Sequence, residues 1–169
     1  MTEMSFIMEK DWLFKTSEYI CDLRVAGVLI RNGKLLVQRE KGGVEYALPG
    51  GHVKIGETTE AALIREYQEE MNLVIECKHL LWTEECFWEW NGVRTHNISF
   101  YYLIEDGSGS ELPEREGFLQ HRDNKEIEYG WLPIDQLQNI TIYPEFIKHE
   151  IFSLDGKQKT FYYKSIRKR

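Results

Sequence analysis

The chain has 169 residues, a formal net charge of −7, 42% hydrophobic and 29% charged residues. That length suits one domain with a substantial buried core, and no apolar run approaches the roughly 18 residues that cross a bilayer. The acidic balance speaks against general nucleic-acid binding, which relies on basic surface, and an anionic substrate would need a bound cation to be tolerated.

The opening residues, MTEMSFIMEKDW, lack a basic stretch followed by an apolar one, so no secretory signal is expected there. Cys21, Cys77 and Cys86 are few, odd in number and without CxxC spacing, which suits a reducing cytoplasm better than a disulfide scaffold or a zinc site. Residues 1–20 read as an N-terminal extension that covers a sheet edge or forms a homodimer contact. At the other end, Lys164, Arg167, Lys168 and Arg169 make a short basic tail, read as a solvated terminus.

Residues 23–39, LRVAGVLIRNGKLLVQR, hold two partly alternating apolar runs around Asn32-Gly33, the signature of a hairpin with a type I′ turn. A glycine-punctuated segment then leads to Pro49-Gly50-Gly51. Thr58 is placed as a helix N-cap with Glu60 in the first turn, and the helix is expected to run to about Met71. Asn72 follows where a left-handed cap residue is needed. Strands are expected at 74–81, 84–90 and 95–104, with a turn at Asn91-Gly92. Residues 105–125 are polar and read as a long surface loop. A strand over 126–132 leads to a helical turn at Pro133-Ile134-Asp135. Pro144 opens a second helix with Ile147, Ile151 and Leu154 on one face. Asp155-Gly156 then turns the chain into a last strand over 160–163. Strands before and after a central helix, with a closing helix, predict an α/β fold with a mixed β-sheet between helices, an α/β/α sandwich.

On a wheel of about 100° per residue, Leu63, Ile64, Tyr67 and Met71 share a core-facing stripe, while Ala62, Glu66, Glu69 and Glu70 occupy a separate face. Like charges three and four residues apart repel, so three such glutamates are either screened by water or hold a cation. Arg65 lies four residues before Glu69 and can fix its orientation. Carboxylate oxygens at this density suit Mg²⁺ or Mn²⁺ with a phosphate ligand. Such an ion neutralises a diphosphate and acidifies an attacking water, and a spare glutamate can take the proton.

The stretch from Gly51 to Leu73 resembles the Nudix box, GX5EX7REUXEEXGU with U a bulky aliphatic residue. It presents Gly51, Glu57, Arg65, Glu66, Tyr67, Glu69, Glu70, Asn72 and Leu73, and seven of the nine fixed positions agree. The five charged matches and one glycine would arise by chance in roughly one chain in 10⁵. Tyr67 replaces an aliphatic residue, and Asn72 replaces a glycine while keeping the left-handed option. The entry through Pro49-Gly50-Gly51 and the later Trp131-Leu132-Pro133 are also similar to the family, extending the resemblance over roughly residues 23–152.

The resemblance implies a Nudix fold and metal-dependent hydrolysis of a nucleoside diphosphate linked to another group. It also implies that Glu66, Glu69 and Glu70 ligate the cations with the Gly50 carbonyl, that Arg65 orients Glu69, and that Glu57 supports the loop or a further ion. The base is then one of the box glutamates or a downstream one, Glu126 first and Glu128 second. Gly51, Trp88, His96 and Glu128 are the candidates for substrate contact. Absent the proline and coenzyme A motifs of other Nudix classes, a nucleoside triphosphate or damaged nucleotide is the expected substrate. A nucleotide-sugar or dinucleotide pyrophosphatase, and a regulatory module that binds without turnover, are the alternatives. An RNA-end hydrolase fits the acidic surface poorly.

Overall fold

The computed structural model describes residues 10–90, 92–109, 112, 117–154 and 161–167. In chain order these form β1 (Leu13–Lys15), β2 (Tyr19–Arg31), β3 (Lys34–Glu40), β4 (Glu45–Ala47), β5 (Gly50–His52) and α1 (Thr59–Met71). β6 (Ile75–Trp90), β7 (Val93–Asp106), β8 (Leu119–Gln120) and β9 (Ile127–Pro133) follow, then a 3₁₀ helix over Ile134–Asn139. The chain continues through β10 (Thr141–Tyr143), α2 (Ile147–Glu150), a 3₁₀ turn over Ile151–Ser153, and β11 (Phe161–Arg167).

The alternation of β2 sets the layers. Val25 and Leu29 point into one apolar cluster, with Leu63, Tyr67 and Met71 of α1. Val28 enters a second cluster on the opposite face, with Leu137 of the 3₁₀ helix, Ile142 of β10, and Ile147 and Ile151 at the second helix. Successive strand residues point to opposite faces, so a strand apolar on both must be covered on both. The result is the expected mixed sheet between helical layers.

The sheet runs β10-β4-β3-β2-β7-β6-β11. β2 and β7 are parallel, β7 and β6 antiparallel, and β6 and β11 parallel. β2 meets β3 only beside the hairpin, at Ile30↔Leu35 and Arg31↔Lys34. Further back the two strands diverge, and β5 takes the edge of β2 through Arg24↔His52, Val25↔Gly51 and Ala26↔Gly50. This split places the Gly50-Gly51 backbone over α1 and leaves room beside it.

The local signals act where the sequence puts them. Asn32 and Gly33 both have positive φ, 49° and 74°, as a type I′ turn requires. The Thr58 hydroxyl accepts from the Ala61 N–H at 3.2 Å. Asn72 adopts the left-handed conformation (φ 54°, ψ 35°), and its N–H reaches the Gln68 carbonyl.

Several expectations are corrected. Ile64 is 41% exposed and does not join the core stripe, whereas Ala62 is fully buried. With only a methyl at Ala62, the helix closes against β5, which turns the buried face towards Ala62 and away from Ile64. The two strands expected over 74–81 and 84–90 are one, β6, whose register shifts between Cys77 and His79 and between Leu80 and Trp82 absorb the break in alternation. The expected loop over 105–125 begins as the end of β7 and contains β8, which pairs with β9. Glu126 lies in the turn before β9, not on the strand. α2 starts at Ile147, after a turn from the Pro144 carbonyl to the Ile147 N–H. Part of the expected N-terminal extension is sheet: β1 pairs with β2, and Asp11 bridges to Lys54. Asn91, Asp155, Gly156, Lys168 and Arg169 lie outside the described residues.

The packing of α1 yields a paired test. Leu63→Ala is expected to cost about 2–5 kcal/mol in urea unfolding, as a large-to-small change at a fully buried site. Ile64→Ala is expected to stay within about 0.5 kcal/mol, as a change on an exposed face.

Candidate active site

Close approach of β5 to α1 creates the site. A Cβ on Gly51 would lie 2.3 Å from the Glu66 carboxyl carbon, so only glycine leaves space for that carboxylate beneath the strand. A Cβ on Gly50 would meet the Val25 carbonyl at 2.0 Å, so glycine is needed on the β2 side as well.

Arg65 ties the turn after β5 to the helix. Its Nε and Nη2 donate to the two oxygens of Glu57 at 2.8 and 3.0 Å, and Nη2 also donates to the His52 carbonyl at 3.0 Å. Nη1 donates to Glu66 at 2.7 Å and to Glu69 at 3.1 Å. The Lys54 N–H adds a bond to Glu57 at 3.1 Å. The Arg65 bond, with help from the Lys54 N–H, holds the Glu57 carboxyl below its usual range. Glu57 in turn raises the already high Arg65 value.

Glu70 sits deeper. Burial, followed by the neighbouring charges of Glu66 and Asp123, pushes its carboxyl up to about 8. The buried His121 faces it, with Nε2 3.5 Å from Oε2, and neither atom has a hydrogen-bond partner. Burial pushes the His121 imidazole down. The Arg122 N–H donates to the Glu70 carbonyl at 2.9 Å, which ties this loop to the last turn of α1.

A cavity of about 280 Å³ opens over Glu66 and Glu70, with Gly50, Gly51 and His52 on its wall. A second, also about 280 Å³, runs along β6 and β7, and the two share Arg24, Gln38 and Gly50. Arg24 is the only Lys or Arg among the described residues that line them. Its Nη1 lies 3.1 Å from His52 Nε2, which is itself 3.1 Å from Asp22 Oδ2.

The structure brings Gly50, Gly51, Glu66 and Glu70 together around the first cavity, with Arg65 behind them. Glu69 is at the rim, its side chain 46% exposed and paired with Arg65. Both oxygens of Glu57 accept from Arg65. Trp88 lines the second cavity. His96 is on the other face of β7, stacked on Phe87 at 4.2 Å and 3.0 Å from Glu85. Glu128 accepts from Arg39 Nε at 2.7 Å. Glu126 is exposed and lines neither cavity. Arg24, Gln38, His52 and His121 are additions that no motif announced.

Among the described residues, no three His, Cys, Asp or Glu side chains converge as a ready-made cation site. The donor set nevertheless fits a hard divalent ion. Two carboxylates repel each other in a half-buried place, one of their oxygens has no partner, and a cation would relieve both conditions.

The sequence matches the NUDIX domain family over residues 22–150. The chain belongs to the Nudix family. The ADP-ribose pyrophosphatase of Methanocaldococcus jannaschii is 35% identical over 91 residues, 52% of this chain and 52% of that protein. The NAD-capped RNA hydrolase NudC of Yersinia enterocolitica is 33% identical over 114 residues, 65% of this chain but 38% of that protein. The Nudix chain thus spans about half or less of the length of these relatives. A MutT protein of Bacillus halodurans has the same fold, with a TM-score of 0.60 at 15% identity over 85% of this chain and 90% of that one. No helix among the described residues is long and apolar enough to cross a membrane.

The Arg65 cluster separates two kinds of ion pair. Arg65→Gln leaves Glu57 and Glu66 without their charged donor and is expected to cost about 1–3 kcal/mol in urea unfolding. Glu69→Gln removes only the exposed pair and is expected to cost less than about 1 kcal/mol.

Proposed function

We propose that this Nudix chain is a divalent-cation-dependent pyrophosphohydrolase that cleaves a phosphoanhydride bond in a nucleoside diphosphate linked to another group, with nucleoside triphosphates or damaged nucleotides as substrates. The observation that carries this reading is the partnerless Glu70 oxygen beside Glu66, beneath the Gly50-Gly51 backbone and open to a cavity. Family membership supports it, and the pyrophosphatase and hydrolase names of the relatives agree.

Glu66, Glu69, Glu70 and the Gly50 carbonyl would hold Mg²⁺, or Mn²⁺ in its place. When bound, such an ion offsets the charge of the diphosphate and acidifies a water. Arg65 keeps Glu66 and Glu69 on the side of α1 that meets β5. Arg24, which lines both cavities, takes a phosphate oxygen and brings the only guanidinium charge among the described residues that line them. Proton acceptance falls to a box glutamate, with Glu69 placed at the rim where water enters. Glu126 stands away from the cavity, and Glu128 is committed to Arg39, so both are weaker bases in this arrangement. Cys21, Cys77 and Cys86 form no disulfide, which supports a reducing, cytoplasmic setting.

With Mg²⁺ and a panel of nucleoside triphosphates, nucleotide sugars and dinucleotides, the purified protein should release phosphate or pyrophosphate. Glu66→Gln and Glu70→Gln should each reduce turnover by about 100-fold or more with the far-ultraviolet circular dichroism unchanged. Full turnover in both variants would refute the assignment.

A further inference from the structure

The turn that carries His121 is fixed from two sides. β8 pairs with β9 through Leu119↔Tyr129 and Gln120↔Glu128, and the His121 N–H donates to the Ile127 carbonyl at 3.0 Å. The next residue, Arg122, donates its N–H to the Glu70 carbonyl on α1 at 2.9 Å. The imidazole rests against the Tyr129 ring, with centroids 5.8 Å apart. Strand pairing on one side and the helix end on the other thus set His121 in the wall of the cavity over Glu66 and Glu70. Only 4% of the residue is exposed.

A polar atom buried there costs free energy unless something bonds it. His121 Nε2 has no hydrogen-bond partner, and neither has Glu70 Oε2, the carboxylate oxygen 3.5 Å in front of it. That separation exceeds the roughly 2.7–3.2 Å of an N–H···O bond, so a shared proton does not account for the pair. It suits two ligands of one ion. Donors each about 2.1 Å from a cation and about 110° apart lie roughly 3.4 Å from one another.

We propose that His121 Nε2 ligates the same cation as Glu70 and tunes the site towards a first-row transition ion over Mg²⁺. The inference rests on the reading above that the α1 carboxylates hold a divalent cation. Carboxylate, carbonyl and water oxygens suit Mg²⁺, whereas an imidazole nitrogen favours the later first-row ions. One nitrogen in an oxygen shell therefore changes which ion the site holds best. Among the described residues no three His, Cys, Asp or Glu side chains converge, so water, the Gly50 carbonyl and a substrate phosphate complete the shell.

Pulsed electron paramagnetic resonance of the whole chain with Mn²⁺ alone tests this. A bonded imidazole should imprint nitrogen modulation on the Mn²⁺ echo. The modulation should survive His52→Asn, the other histidine among the described residues on the cavity wall, and vanish in His121→Asn. Calorimetric titration with Co²⁺ and with Mg²⁺ gives a second readout. His121→Asn should weaken Co²⁺ binding by about tenfold or more, with Mg²⁺ binding changed by about threefold or less. An echo without nitrogen modulation, modulation lost in the His52 variant instead, or equal losses for the two ions would each overturn the inference. If His121→Asn does not fold, the wild-type and His52→Asn echoes decide. Mn²⁺ bound without nitrogen modulation would leave the carboxylate site standing, whereas no binding of any of the three ions would overturn both readings.

Discussion

The guanidinium of Arg65 is the contact on which the site depends. It joins Glu57 and the His52 carbonyl, on the segment leaving β5, to Glu66 and Glu69 on α1. It is the charged link between the segment leaving the strand end that carries Gly50 and Gly51 and the helix that carries the carboxylates. The two-pronged bond to Glu57 gives the link a direction as well as strength. Gly51 completes the geometry by leaving the Glu66 carboxylate room that any side chain would occupy.

That scaffold creates an electrostatic conflict a few ångströms away. Glu70 is drawn into a half-buried place beside Glu66, and its carboxyl is pushed up to about 8 first by burial and then by that neighbour. Natural folds rarely retain such an arrangement without a return, because a buried polar atom lacking a partner costs on the order of 1–3 kcal/mol. A ligand that brings positive charge resolves it. In the second cavity the buried Asn97 Oδ1 has no hydrogen-bond partner. Arg24 stands where the two cavities meet.

What the sequence disclosed follows the range of each interaction. The Asn32-Gly33 turn, the Thr58 cap and the Asn72 terminus are fixed within a few residues, and each was legible. The box residues run from β5 through one turn into one helix, so their grouping was legible too. Ile64 was misplaced because its exposure depends on how Ala62 seats the helix against β5, a contact between elements. The single strand β6 was read as two because bulges interrupt its alternation. His96 and Trp88 were treated alike, yet the register Phe87↔His96 and Trp88↔Thr95 sends them to opposite faces. Arg24, Gln38 and His121 come from β2, β3 and the approach to β9, and only sheet pairing brings them to the site.

The central claim, that the α1 carboxylates meet β5 in order to hold a divalent cation, is tested most directly by nuclear magnetic resonance with substoichiometric Mn²⁺. The account predicts that the amide signals of Gly50, Gly51, Glu66, Glu70 and Arg122 broaden first, and that added Mg²⁺ restores them by competition. Broadening centred elsewhere, or none at these amides, would contradict it.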